Sequence, residues 1–207
     1  LFPYTTLFRS CTEGPMVWTV TIIGDVPKGT AIMRSGAQVG DIVGITNYVG
    51  YAATGLGALS YNLDGYHMTK VGHQRPDPQI ELGQQLRQLG IHSMNDISDG
   101  LGSELNEIAS ASNVSIVIEE KAIPLHEETY ELAKYLQTNP VDYALYGGED
   151  FQLVFTAPKS LLSKLENLAG ITIIGEVVSG PAQVQMVTPD KTIKTIEAKG
   201  YNHFHES

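Results

Sequence analysis

The sequence predicts a mixed α/β (α+β) fold. Stretches rich in β-branched residues alternate with stretches whose apolar residues recur at helical spacing, Gly and Pro mark the junctions, and the last strand-like stretches end like hairpins.

Residues 16–26, MVWTVTIIGDV, have strand composition and stop at Pro27. Residues 27–41 read as loop, with glycines at 29, 36 and 40, and DIVGITN (41–47) reads as a second strand. The small residues of GYAATGLGALSYNL (50–63) suit a closely packed helix. RPDP (75–78) punctuates the chain. After it Ile80, Leu82, Leu86 and Leu89 fall at mostly helical spacing, closed by Gly90 at a C-cap position. IHSMND is a short strand running into ISDGLGSELNEIASAS, where Leu101, Leu105 and Ile108 share a helical face. The remainder alternates strand (114–120), helix (126–137), strand (151–157) and helix (159–170), then ends in two strands, ITIIGEVV and AQVQMVT.

A length of 207 residues allows one large or two small domains, and 42% apolar with 17% charged residues is an ordinary globular balance. No apolar run reaches the roughly 20 residues that span a bilayer, so no membrane role is expected and the cytoplasm is the default location. A single cysteine, Cys11, excludes an internal disulfide framework and an all-cysteine zinc site. The formal charge of −10 argues against a nucleic-acid partner and means that a polyanion such as ATP needs local help from cations, an arginine or helix-start amides.

Acids concentrate in NDISDG (95–100), at a strand-to-helix junction. Asp96 and Asp99 have a structural reading, as N-cap and first-turn acids, and a functional one, as hard oxygen ligands of Mg²⁺ beside a phosphate-contacting Ser98. YGGEDFQLVFT (146–156) sets two glycines and two acids before a strand. That is either a tight turn with solvated acids, or a close backbone approach to a ligand with Glu149 accepting from a cationic or amine-bearing group. Arg34 lies in a glycine-bordered loop, as a surface residue or a phosphate clamp. GLGALS (55–60) imitates a dinucleotide fingerprint, but packing accounts for it better. No P-loop motif occurs, and the six histidines form no ligand set.

RSGA, RPDP, NDISDGL, YGGEDFQL and GYNHF stand in the order and at about the spacing of thiamine-monophosphate kinases. The resemblance covers essentially residues 12–205, and DISDGL with GGED is specific within a superfamily that includes aminoimidazole-ribonucleotide synthetase. It implies the C-terminal α/β domain of that fold over 29–207, and a remnant strand of the N-terminal ATP/Mg-binding domain over 12–28. It also implies a homodimeric parent and transfer of the γ-phosphoryl group of ATP to thiamine monophosphate with Mg²⁺. Carried over by residue, it makes Asp96 and Asp99 metal ligands, Ser98 and Arg34 ATP contacts, Glu149 a contact to thiamine phosphate and Tyr201 an aromatic wall of the thiamine pocket. A related ATP-using synthetase and a non-catalytic nucleotide- or thiamine-binding module are the alternatives. The family's upstream GGDTT-like acids have no counterpart here beyond TEGP (12–15), and LFPYTTLFRS (1–10) resembles a translated sequencing adaptor, so residues 1–11 are expected to be non-native and the chain too short to turn over.

Overall fold

The computed structural model describes residues 19–21 and 23–199. Two compact units divide the chain, residues 1–30 and 31–207. In the first, the described residues form no helix or strand. The Pro27 carbonyl accepts from the Thr30 amide at 3.1 Å and the Thr30 hydroxyl at 2.9 Å, closing a turn after the proline. This corrects the strand expected over 16–26 as far as its residues are described. Val20, Ile23 and Val26 are exposed, and an extended segment becomes a strand only where a neighbour takes up its backbone donors and acceptors.

The second unit is built on a seven-stranded sheet. Its strands are β1 (Asp41–Thr46), β2 (Ser93–Ile97), β3 (Ser115–Glu119), β4 (Gln152–Pro158), β5 (Ile171–Val178), β6 (Gln183–Val187) and β7 (Ile193–Ile196). They lie in the order β2-β4-β1-β5-β3-β6-β7, antiparallel throughout except for the parallel β3–β6 pair. The helices are α1 (Tyr51–Ser60), α2 (His67–Gln74), α3 (Ile80–Leu89), α4 (Leu101–Ser112), α5 (Glu127–Leu136), α6 (Pro140–Tyr146) and α7 (Leu162–Glu166). None of these helices is long and apolar enough to cross a membrane. The expected α+β class stands; α2, α6 and β7 are additions to it.

Every residue of β1 is buried, because both faces of the sheet are covered. Val43 and Ile45 join Leu101, Leu105 and Ile108 of α4 and Leu145 of α6 in one core. Ile42 turns the other way and joins Phe155, Leu86 of α3 and Leu165 of α7 in a second. Gly44 sits opposite Phe155 in the β1–β4 register, and a Cβ on it would stand 2.4 Å from the ring's Cζ. The glycine is the space that the ring fills. The small residues of α1 act in the same way: a Cβ on Gly55 would stand 2.1 Å from the Thr69 carbonyl of α2, so GLGALS is a packing surface, as its position in a helix suggested.

Gly44→Ala is expected to force Phe155 off its position and to destabilise the fold by about 1–3 kcal/mol, the usual cost of overpacking a filled core, measured by urea unfolding.

Candidate active site

β2 and β4 are neighbours, with Ile97 opposite Gln152, so the turn that follows β2 and the loop that precedes β4 meet at one end of the sheet. They meet backbone on backbone. A Cβ on Gly148 would lie 2.3 Å from the Ser98 carbonyl, and one on Gly100 would lie 2.7 Å from the Leu145 carbonyl. The Glu149 amide donates to the Ser98 carbonyl at 2.8 Å and the Phe151 amide to the Ile97 carbonyl at 2.9 Å. The glycines that looked like turn residues are there for this close approach.

The structure decides against the capping role for the two aspartates. Gly100 occupies the N-cap of α4 and no side chain caps that helix. Asp96 and Asp99 are exposed, and among the described residues neither carboxylate has a hydrogen-bond donor. Behind them stands buried Glu104. It accepts from the Asp99 amide at 3.2 Å and the Ser98 hydroxyl at 3.4 Å, and it also accepts from the side-chain amide of Asn95. Asn95 donates in addition to Glu107 at 3.0 Å. Arg34 reaches the same group, with its Nε 3.0 Å from both the Asn95 Oδ1 and the Glu107 carboxylate. Burial raises the Glu104 pKa, partly opposed by the Asp99 amide, and the charges of Glu107, Asp96 and Asp99 raise it further. Four carboxylates and one guanidinium thus share a small volume and repel a fifth negative charge.

Asp150 is buried as well. Its carboxylate accepts from the amides of Gly50 at 2.6 Å and Ala52 at 2.9 Å, and from that of Tyr51, at the start of α1. Burial pushes its pKa up to about 6, even though those three amides pull it down. Its neighbours Glu149 and Phe151 have φ of 68° and 49°, left-handed values that side chains other than glycine adopt at a cost of about 1–3 kcal/mol each. The Asp150 bonds to α1 and the two amide bonds to Ile97 and Ser98 hold this loop in that shape.

Residues 38–187 match the family described as AIR synthase related protein, C-terminal domain, which is well over half of the chain. The chain belongs to that family. Within the AIR synthase related group it resembles the thiamine-monophosphate kinases of Bacillus subtilis and Haemophilus influenzae, at 37% identity over 93% of this chain and 35% over 95%. It spans about three fifths of the length of these curated relatives, 62% of each. A solved structure described as AaThiL complexed with AMPPCP and TMP covers 84% of this chain and 54% of its own, at 33% identity and a TM-score of 0.72.

In this AIR synthase related chain Arg34, Ser98 and Asp99 are linked through Asn95, Glu104 and Glu107, Asp96 is near enough for its charge to raise the Glu104 pKa, and Glu149 lies exposed on the loop bonded to Ser98. Tyr201 lies outside the described residues. Among the described residues no three His, Cys, Asp or Glu side chains are gathered closely enough to hold a metal ion by themselves. Asn95, Glu104, Glu107 and Asp150 were not singled out from the sequence. Glu104 left a trace there, as an acid at the i+3 position on the Leu101–Leu105–Ile108 stripe, where a solvated residue has no place. Asp150 is a correction, since the solvated turn acid of the sequence reading is buried in the structure.

A raised carboxyl pKa means that the folded state holds the proton more tightly than the unfolded chain. Stability therefore falls as pH rises from about 4 to about 6 and is level beyond, a loss on the order of 3 kcal/mol for this group. Urea unfolding from pH 4 to 8 is expected to show the native chain losing that amount relative to Asp150→Asn over this window, with a constant difference above it.

Proposed function

We propose that this chain is part of an ATP-dependent kinase that phosphorylates thiamine monophosphate to thiamine diphosphate. The observation that carries the reading is the pair of exposed aspartates, free of any capping duty, set against a crowded acidic group and one arginine. The kinship with thiamine-monophosphate kinases and with a structure named for AMPPCP and TMP supports it.

The donor set fits Mg²⁺. Asp96, at the end of β2, and Asp99, in the turn after it, are exposed hard oxygen donors, and Mg²⁺ is commonly held by one or two carboxylates together with substrate phosphates. When bound, the ion supplies neutralisation of phosphate charge. The chain's own residues do the rest. Glu104, by accepting the Asp99 amide and the Ser98 hydroxyl, sets the turn, and in the reaction Ser98 turns its hydroxyl from Glu104 to a phosphate oxygen. Arg34, half exposed beside Glu107, offers the guanidinium that a transferring phosphoryl group needs. Glu149, fixed through its amide to Ser98, accepts from the acceptor's amine. In the reaction an oxygen of thiamine monophosphate attacks the γ-phosphorus of ATP, the bond to ADP breaks, and no covalent enzyme intermediate forms. A parent dimer belongs to the same reading, supported by the exposed Val20 and Ile23 in the segment that the resemblance assigns to a shared sheet.

The test is to extend the chain upstream to the length of its relatives and assay it with ATP, Mg²⁺ and thiamine monophosphate. ADP and thiamine diphosphate are expected in equal amounts, and their absence overturns the reading. Asp99→Asn is expected to lower kcat/KM at least about 100-fold and to raise the Mg²⁺ concentration needed for half-maximal rate, because an amide supplies no anionic ligand. An unchanged magnesium titration removes Asp99 from the site.

A further inference from the structure

The loop that carries Arg34 belongs to no helix or strand, yet it is pinned on both sides of the arginine. On one side the Met94 amide of β2 donates to the Met33 carbonyl at 3.1 Å. On the other stands Ser112, the last residue of α4. Its hydroxyl accepts from the Gly36 amide at 3.2 Å and the Ala37 amide at 3.1 Å, and it donates to the Arg34 carbonyl at a longer 3.5 Å. One proton given and two lone pairs filled is the whole hydrogen-bonding capacity of a hydroxyl. Gly36 makes the approach possible: its φ is 124°, and a Cβ there would lie 2.5 Å from the His92 carbonyl. The end of α4 does not need this hydroxyl, because the Asn113 amide closes the helix on the Ala109 and Ser110 carbonyls.

The same helix holds the acidic turn. Leu101, Leu105, Ile108 and Ala109 bury α4 in the core, Glu104 near its start takes the Ser98 hydroxyl and the Asp99 amide, and Glu107 receives Arg34. Ser112 lies beyond Glu107 by about 7 Å along the helix axis, at the helical rise of about 1.5 Å per residue, a gap that the long arginine side chain spans back to Asn95 and Glu107. On the same scale Asp99 is roughly 20 Å off, too far for the Ser112 hydroxyl to touch a phosphate held at that aspartate. One rigid helix thus carries both attachment points. The distance between the guanidinium and the two aspartates is set by α4, and the loop follows it.

We propose that Ser112 is a positioning residue: its hydroxyl clasps residues 34–37 to the end of α4 and so fixes where the Arg34 guanidinium stands relative to Asp96 and Asp99. The assignment rests on the kinase reading and adds to it a residue that acts on the phosphoryl group only through Arg34. Without the clasp Arg34 keeps Glu107 as a partner, but their side chains are 56% and 45% exposed, and an ion pair of that kind holds a position weakly. Catalysis by placed charge is sensitive to a shift on the order of 1 Å, even one that begins far from the reacting atoms.

The test has two arms. In this chain, amide exchange followed by NMR is expected to quicken about fivefold at Gly36 and Ala37 in Ser112→Ala, through the loss of one hydrogen bond apiece, and the Arg34 Nε–H resonance is expected to move. Circular dichroism and urea unfolding should stay close to those of the unsubstituted chain. Ser112→Thr keeps the hydroxyl and is expected to restore both signals. Unchanged exchange at the two amides, or an unmoved Nε–H resonance, overturns the assignment. The second arm uses the chain extended upstream and assayed with ATP, Mg²⁺ and thiamine monophosphate. There Ser112→Ala is expected to lower kcat about tenfold or more, Ser112→Thr to recover it, and Ser112→Ala to cost nothing further once Arg34→Ala is in place. Losses that add in the double variant overturn it. Failure of the kinase reading looks different: the unsubstituted extended chain then forms no thiamine diphosphate, while the exchange and Nε–H signals still decide the clasp.

Discussion

Asp150 carries a carboxylate into the interior, where it accepts the amide hydrogens of Gly50, Tyr51 and Ala52, and the layout of the whole sheet end follows from those bonds. They join the start of α1 to the start of β4. With α1 placed, Tyr51 is placed. With the loop before β4 held, Glu149 and Phe151 keep their left-handed backbone and their amides reach β2. Burial works against that ionised carboxylate. A side chain retained against such a bias is best understood by what it positions.

The acidic turn obeys a complementary constraint. Asp96 and Asp99 are spared from helix capping because Gly100 takes the cap position, and they stand before Glu104 and Glu107, the latter paired with Arg34. So much like charge at one place is unfavourable until cations arrive. In the proposed kinase, metal ions that relieved this crowding would be the ones to attract phosphate, so a strongly acidic chain would handle phosphate-rich ligands where its own negative charge is densest.

Most of the sheet was legible in the sequence because strands such as DIVGIT and QLVFTAP are bounded by turn residues and buried on both faces. What stayed hidden has particular causes. His67–Gln74 is a helix of low apolar content held by α1 and Glu128, and Pro140–Tyr146 is a short one opened by Asn139 and Pro140, so neither has a long periodic stripe. Val20 and Ile23 have strand composition, but composition does not provide a partner. At the site, NDISDG and YGGED could be found by eye. The roles of Asn95, Glu107 and Asp150 depend on which segments lie opposite them across the sheet, and spacing along the chain says nothing of that.

β1 is an interior strand of the sheet, and both of its neighbours come from far along the chain, with Ile42 opposite Ala157 of β4 on one side and Glu176 of β5 on the other. During synthesis this strand, buried throughout in the folded chain, leaves the ribosome without either edge to join, and it must wait until residues 152–178 have followed. Its assembly is therefore late and non-local, the topology associated with slow folding and with exposed, aggregation-prone strands in the interval.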